Sequence, residues 1–87
     1  MREIEIERPA CEFAESRGWF QFKLEKASKN GIPDRFFARN GLIILIEFKR
    51  PGEEPNAQQQ KRHRELRKQG VPVFVVDNLD EAKRILL

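Results

Sequence analysis

The most apolar run in the chain, Leu42-Ile43-Ile44-Leu45-Ile46, ends abruptly in charge, at Glu47-Phe48-Lys49-Arg50. Another carboxylate, Asp34, stands upstream behind Pro33. Side chains alternate faces along a strand, so Glu47 and Lys49 point one way and Phe48 the other. Between them, Arg39-Asn40-Gly41 carries the Asn-Gly pair of a tight hairpin, which folds residues 34–38 back beside residues 42–49. With a loop spanning 39–42, pairing matches 38 with 43, 36 with 45 and 34 with 47. Asp34 then meets Glu47 and Lys49 at one end of the ladder.

Two carboxylates about 5 Å apart repel by roughly 3 kcal/mol at an effective dielectric of about 20. Lys49 relieves part of that repulsion. A divalent cation relieves more and converts it into affinity. Oxygen donors select hard ions, so the expected metal is Mg²⁺ or Mn²⁺ and not zinc. Such an ion lowers the pKa of water and polarises a phosphoryl oxygen. Lys49 can then orient the attacking water or stabilise the charge that develops on phosphorus. These parts suit phosphodiester hydrolysis. The plainer alternative has Asp34 capping a turn, with Glu47 and Lys49 a solvated pair at a strand end.

The elements that must position these groups are legible in outline. Ile6, Ala10, Phe13 and Ala14 fall at helical spacing, and Gly18 stops that helix. Pro9 is tolerated only in a first turn, so the helix is predicted to start near Glu5–Arg8. Residues 19–24 alternate as a strand, and EKASKNG at 25–31 is a polar loop. The apolar run at 42–49 predicts a strand covered on both faces. Asn56 caps a helix that Gly70 ends. VPVFVVD at 71–77 is a further buried strand, and Asp77 or Asn78 caps a last helix. The order is α-β-β-β-α-β-α. The first three strands form a meander, and the fourth pairs parallel after its crossover helix.

Eighty-seven residues are expected to make one domain, residues 1–87, with a modest core. The net charge is +3 with a pI near 9.4, a weak hint of an anionic partner. Charge is concentrated in KRHRELRK at 61–68, which holds five Lys/Arg and one Glu. The lone Cys11 excludes a disulfide framework within the chain and fits a reducing cytoplasm. The sequence shows no membrane span and no signal-peptide pattern.

Pro33-Asp34 followed by Glu47-x-Lys49 resembles the PD-(D/E)xK nuclease motif. GIPD, then IEFKRPG, then Gln59 eleven residues before Gly70 is more specific and is similar to the VRR-NUC family, the virus-type replication-repair nucleases. The resemblance covers nearly the whole chain. It implies a restriction-endonuclease-like α/β fold, a mixed sheet flanked by helices. It also implies that Asp34, Glu47 and the Phe48 carbonyl hold Mg²⁺ or Mn²⁺, that Lys49 is catalytic, and that the family's helix glutamine is Gln59, with Gln58 and Gln60 beside it. The family's first-helix glutamate, which helps position water at the metal, falls best on Glu7, with Glu5 next; the other acids of this helix read as a solvated face.

On a nuclease, Lys61, Arg62, Arg64, Arg67 and Lys68 form a phosphate-contacting surface. Lys29 and Arg35 flank the loop that enters Asp34, and Arg50 follows Lys49. His63 has Gln59 and Arg67 as its i, i+4 neighbours, with no carboxylate to orient it, and reads as a surface residue. No base-reading motif is visible, so recognition is expected to follow backbone and shape. Stand-alone members of the family resemble archaeal Holliday junction resolvases, so the resemblance implies a homodimer that cuts four-way junctions. Trp19, Phe20, Phe22, Phe36 and Phe37 are expected in the core or at a subunit interface, which could use exposed aromatics such as Trp19 or Phe20. A flap or splayed-end nuclease, a nickase, a DNA-binding module without activity, and a regulatory α/β protein with a chance motif are the alternatives.

Overall fold

The computed structural model describes all 87 residues. Its elements are α1 (Ile4–Ser16), β1 (Phe20–Lys23), β2 (Arg35–Arg39), β3 (Leu42–Phe48), α2 (Ala57–Lys68), β4 (Val73–Val76) and α3 (Leu79–Ile85), in the expected order. One sheet runs β1-β2-β3-β4, the first two pairings antiparallel and β3–β4 parallel.

The hairpin between β2 and β3 sets the register that matters. Asn40 and Gly41 both take positive φ, 51° and 82°, as a two-residue type I′ turn requires. Ala38 pairs with Ile43 and Phe36 with Leu45, as expected. Arg39 also pairs with Leu42, so the loop is two residues and not four. Asp34 lies just before β2, and the same register continued by one step sets it opposite Glu47.

Helix α1 departs from expectation. It starts at Ile4, with Glu3 as N-cap, and runs through Pro9 in its second turn. The missing N–H leaves the Glu5 carbonyl without its helical donor. Burial overrides this local cost: Ile6, Ala10 and Ala14 pack against the sheet and hold the helix across the proline. Two links at the far end form a Schellman cap, Gly18 N–H to Glu15 O and Trp19 N–H to Ala14 O.

Strand alternation divides the sheet into two faces. Phe37, Ile44, Ile46, Phe48 and Val76 meet Ile6, Ala10 and Ala14 of α1 and Ala82 and Leu86 in one apolar cluster. The other face carries Phe22, Phe36, Leu45 and Val73 on one rung, with Glu47 and Val75 on the next. Helix α2 covers only the Glu47–Val73 end, where Arg67 donates to the Val73 carbonyl at 2.7 Å. Toward the β1 edge of this face Phe20 is 65% exposed and Phe22 and Ile43 are also exposed, and on the first face Leu42 is exposed. The strand expected to be covered throughout is therefore open over its first two residues. Trp19, expected in the core or at a subunit interface, lies in the core, with its indole N–H on the Leu86 carbonyl at 3.0 Å.

Candidate active site

The loop GIPD is seated on α2 before it delivers Asp34. Gly31 has φ 82°, and a Cβ there would stand 2.7 Å from the Gln58 carbonyl oxygen, so only glycine allows this approach. Arg62 Nε donates to the Asn30 carbonyl at 2.9 Å and fixes the same loop. Pro33 is fully buried. Asp34 then turns its carboxylate to β3, where Oδ2 accepts the Phe48 N–H at 2.7 Å.

Glu47 sits at the centre, 2% exposed. Its Oε2 accepts from Gln59 Nε2 at 3.2 Å and faces Lys49 Nζ at 3.8 Å. Its Oε1 is buried without a hydrogen-bond partner. Burial, then the charge of Asp34, pushes the Glu47 carboxyl up to about 8, with Lys49 acting in the other direction. Asp34 is also raised, first by its own burial, against the Phe48 N–H bond that lowers it. Two carboxyls that resist ionisation together suit a cation.

The fit to a hard divalent ion rests on that orphaned oxygen. Glu47 Oε1 lacks a donor, Asp34 is held close by β3, and the donors on offer are oxygens. No group of three His, Cys, Asp or Glu side chains is arranged to hold an ion. Asp34, Glu47 and the Phe48 carbonyl would therefore share the ion with water, as Mg²⁺ sites commonly do.

No protein-family model matches the chain. Over 81 residues it is 36% identical to "Putative nuclease p44" of Acyrthosiphon pisum secondary endosymbiont phage 1, covering 92% of this chain and 87% of the phage protein. A solved structure described as a VRR_NUC domain matches with a TM-score of 0.86 and 28% identity, over 95% of this chain and 91% of that one. The chain belongs to the VRR-NUC family. Its mixed four-stranded sheet with flanking helices is the restriction-endonuclease-like fold of these nucleases.

Within this VRR-NUC fold, the three glutamines of α2 separate cleanly. Gln59 reaches Glu47, and its Oε1 also accepts the Asn56 N–H at 2.9 Å, while Asn56 Oδ1 accepts the Gln59 N–H. The helix cap thus aims the glutamine at the acid. Gln60 turns away to the Pro55 carbonyl, and Gln58 is exposed.

Glu7 is buried, but its Oε2 is taken by Arg35 Nε at 2.6 Å. Arg35 also donates to Gln21, at 3.1 Å. Arg35 therefore leaves the expected DNA-contacting set, because both its hydrogen bonds and its burial tie it inside the fold. Arg62 leaves it for a similar reason, held by Asn30 and by Glu65 at 2.7 Å with its side chain 14% exposed. Lys29, Lys61 and Arg64 are exposed, and Arg50 is exposed but paired with Glu53 at 3.0 Å. Glu5, the runner-up, is exposed and faces Arg2 at 3.7 Å.

Two acidic-site neighbours were not legible as such. Glu3, read as part of a solvated face, makes no side-chain cap bond, and its charge raises both Asp34 and Glu47. His63, read as a surface residue, is 2% exposed, with Nε2 3.7 Å from Glu47 Oε1. Its signal lay in the sheet face across from it, not in its own helix.

Proposed function

We propose that residues 1–87 form one nuclease domain, a metal-dependent endonuclease that hydrolyses DNA phosphodiester bonds at Asp34, Glu47 and Lys49. The observation that carries this is Glu47 itself, a buried carboxylate whose Oε2 faces Lys49 at 3.8 Å, whose Oε1 has no hydrogen-bond partner, and whose ionisation the charge of Asp34 opposes. Membership of the VRR-NUC family and the name of the phage relative support it. Bound Mg²⁺ or Mn²⁺ supplies Lewis acidity toward the scissile phosphate. Asp34 and Glu47 bring the negative charge that attracts it, and Lys49 presents an ammonium to the developing phosphoryl charge. Gln59 holds Glu47 Oε2 and leaves Oε1 free. Glu7, held by Arg35, is the proposed first-helix acid, and its charge raises both Asp34 and Glu47.

Lys29, Lys61, Arg64 and Arg50 are the proposed phosphate contacts, and DNA is the partner. No helix is long and apolar enough to cross a membrane. The proposed assembly is a homodimer, supported by the uncovered sheet face. There Phe20 and Phe22 lie 5.8 Å apart between ring centroids, Phe22 stacks on Phe36 at 4.8 Å, and Ile43 is exposed beside them. A twofold axis through that face would present two sites to two strands, which suits a four-way junction.

The test compares a labelled four-way junction with a matched linear duplex, each with Mg²⁺, Mn²⁺ or EDTA. Paired, metal-dependent nicks in the junction are expected. Equal cutting of both substrates would overturn the junction preference and leave a broader nuclease.

A further inference from the structure

We propose that His63 is a positioning residue for Glu47, donating its Nε2–H to Glu47 Oε1 when that carboxylate holds a metal ion. The inference rests on the metal-site reading of Glu47. Two buried polar atoms face one another, Nε2 of His63 and Oε1 of Glu47, 3.7 Å apart, and neither has any other partner. Buried polar groups without partners are uncommon and costly, so an unpaired donor opposite an unpaired acceptor points to a bond between them. A shift of well under 1 Å brings a pair at that separation into hydrogen-bond range.

The other Glu47 oxygen is already engaged by Gln59 and faced by Lys49. Without His63, Oε1 would depend on the metal alone. A carboxylate oxygen has lone pairs enough for an ion and one N–H together. Two α2 side chains, one turn apart, would thus clamp one acid: Gln59 on Oε2 and His63 on Oε1. Ordering of a metal-binding side chain by such a partner commonly matters about 10–100-fold in metal affinity.

The test measures Mn²⁺ binding to the intact protein without DNA, by the loss of the free-ion electron paramagnetic resonance signal. Wild type, Glu47→Gln, His63→Leu and His63→Gln are compared, with thermal melting in EDTA to establish folding. Loss of binding in Glu47→Gln is expected; unchanged binding there would sink the metal-site reading and this inference with it. With that reading upheld, His63→Leu should weaken Mn²⁺ binding about tenfold or more. His63→Gln, which restores an N–H, should recover most of it. Wild-type affinity in His63→Leu, or no recovery in His63→Gln, would overturn the positioning role alone. So would a directly bound imidazole nitrogen in pulsed Mn²⁺ spectra. Nitrogen-15 NMR of the Mg²⁺-loaded wild type needs no variant: a proton on Nε2 is expected, and a bare Nε2 would overturn the proposal.

Discussion

Replacing Glu47 by Gln should stabilise the metal-free protein, and increasingly so as pH rises. The Glu47 carboxyl stands near 8 in the folded chain against 4.5 for an ordinary glutamate. Between those values the folded state keeps a proton that the unfolded state releases. Stability from this group is therefore full below about pH 4.5 and is lost as pH climbs through about 8. The slope in that window approaches roughly 1.4 kcal/mol per pH unit. Between pH 6 and 8 the loss is about 2 kcal/mol, a large part of the roughly 5–15 kcal/mol that holds a small domain together. For a chain of this size it corresponds to a fall in Tm of roughly 8–16 °C. Glu47→Gln keeps the shape and lacks the titration, so its curve should be flatter by that amount. The assay is thermal unfolding by circular dichroism in EDTA across that range. Adding Mn²⁺ should flatten the wild-type curve, because the ion binds the deprotonated acid. Parallel wild-type and variant curves in EDTA would refute the reasoning.

Arg35 and the α2 cations should behave in opposite ways. Arg35→Ala leaves the Glu7 carboxylate buried without its partner and should cost about 3–5 kcal/mol in denaturant unfolding, with no change in the salt slope of DNA binding. Lys61→Ala with Arg64→Ala should leave unfolding unchanged and lower that salt slope by about two, one for each phosphate contact removed. An unchanged slope in the double variant would place the DNA surface elsewhere.

Much of the central geometry was legible because it is local and periodic. Asn40-Gly41 demands one kind of turn, and alternation then sets Asp34 opposite Glu47 with Lys49 on the same side. The cap at Asn56 was equally plain, and the capping box it forms is what selects Gln59 over its two neighbours. What was missed depends on packing between distant segments. Alternation put Arg35 on the face away from Asp34, but only the docking of α1 brings Glu7 beneath it. His63 lies on a helix that is almost wholly polar, and a search of its i, i+4 neighbours finds no acid. Its partner, Glu47, arrives from another element. Pro9 misled for the reverse reason: a sound local rule yields when Ile6, Ala10 and Ala14 are buried on either side of it.

The central claim is that Asp34, Glu47 and Lys49 form a metal-dependent phosphodiesterase site. Its most direct test is cleavage of labelled DNA by wild type and Asp34→Ala with Mg²⁺, with Mn²⁺ and with EDTA, beside the DNA affinity of each protein. Cleavage by the wild type only with metal, lost in Asp34→Ala while DNA binding persists, is the predicted result. Cleavage in EDTA, or normal cleavage by Asp34→Ala, would contradict the assignment of the site.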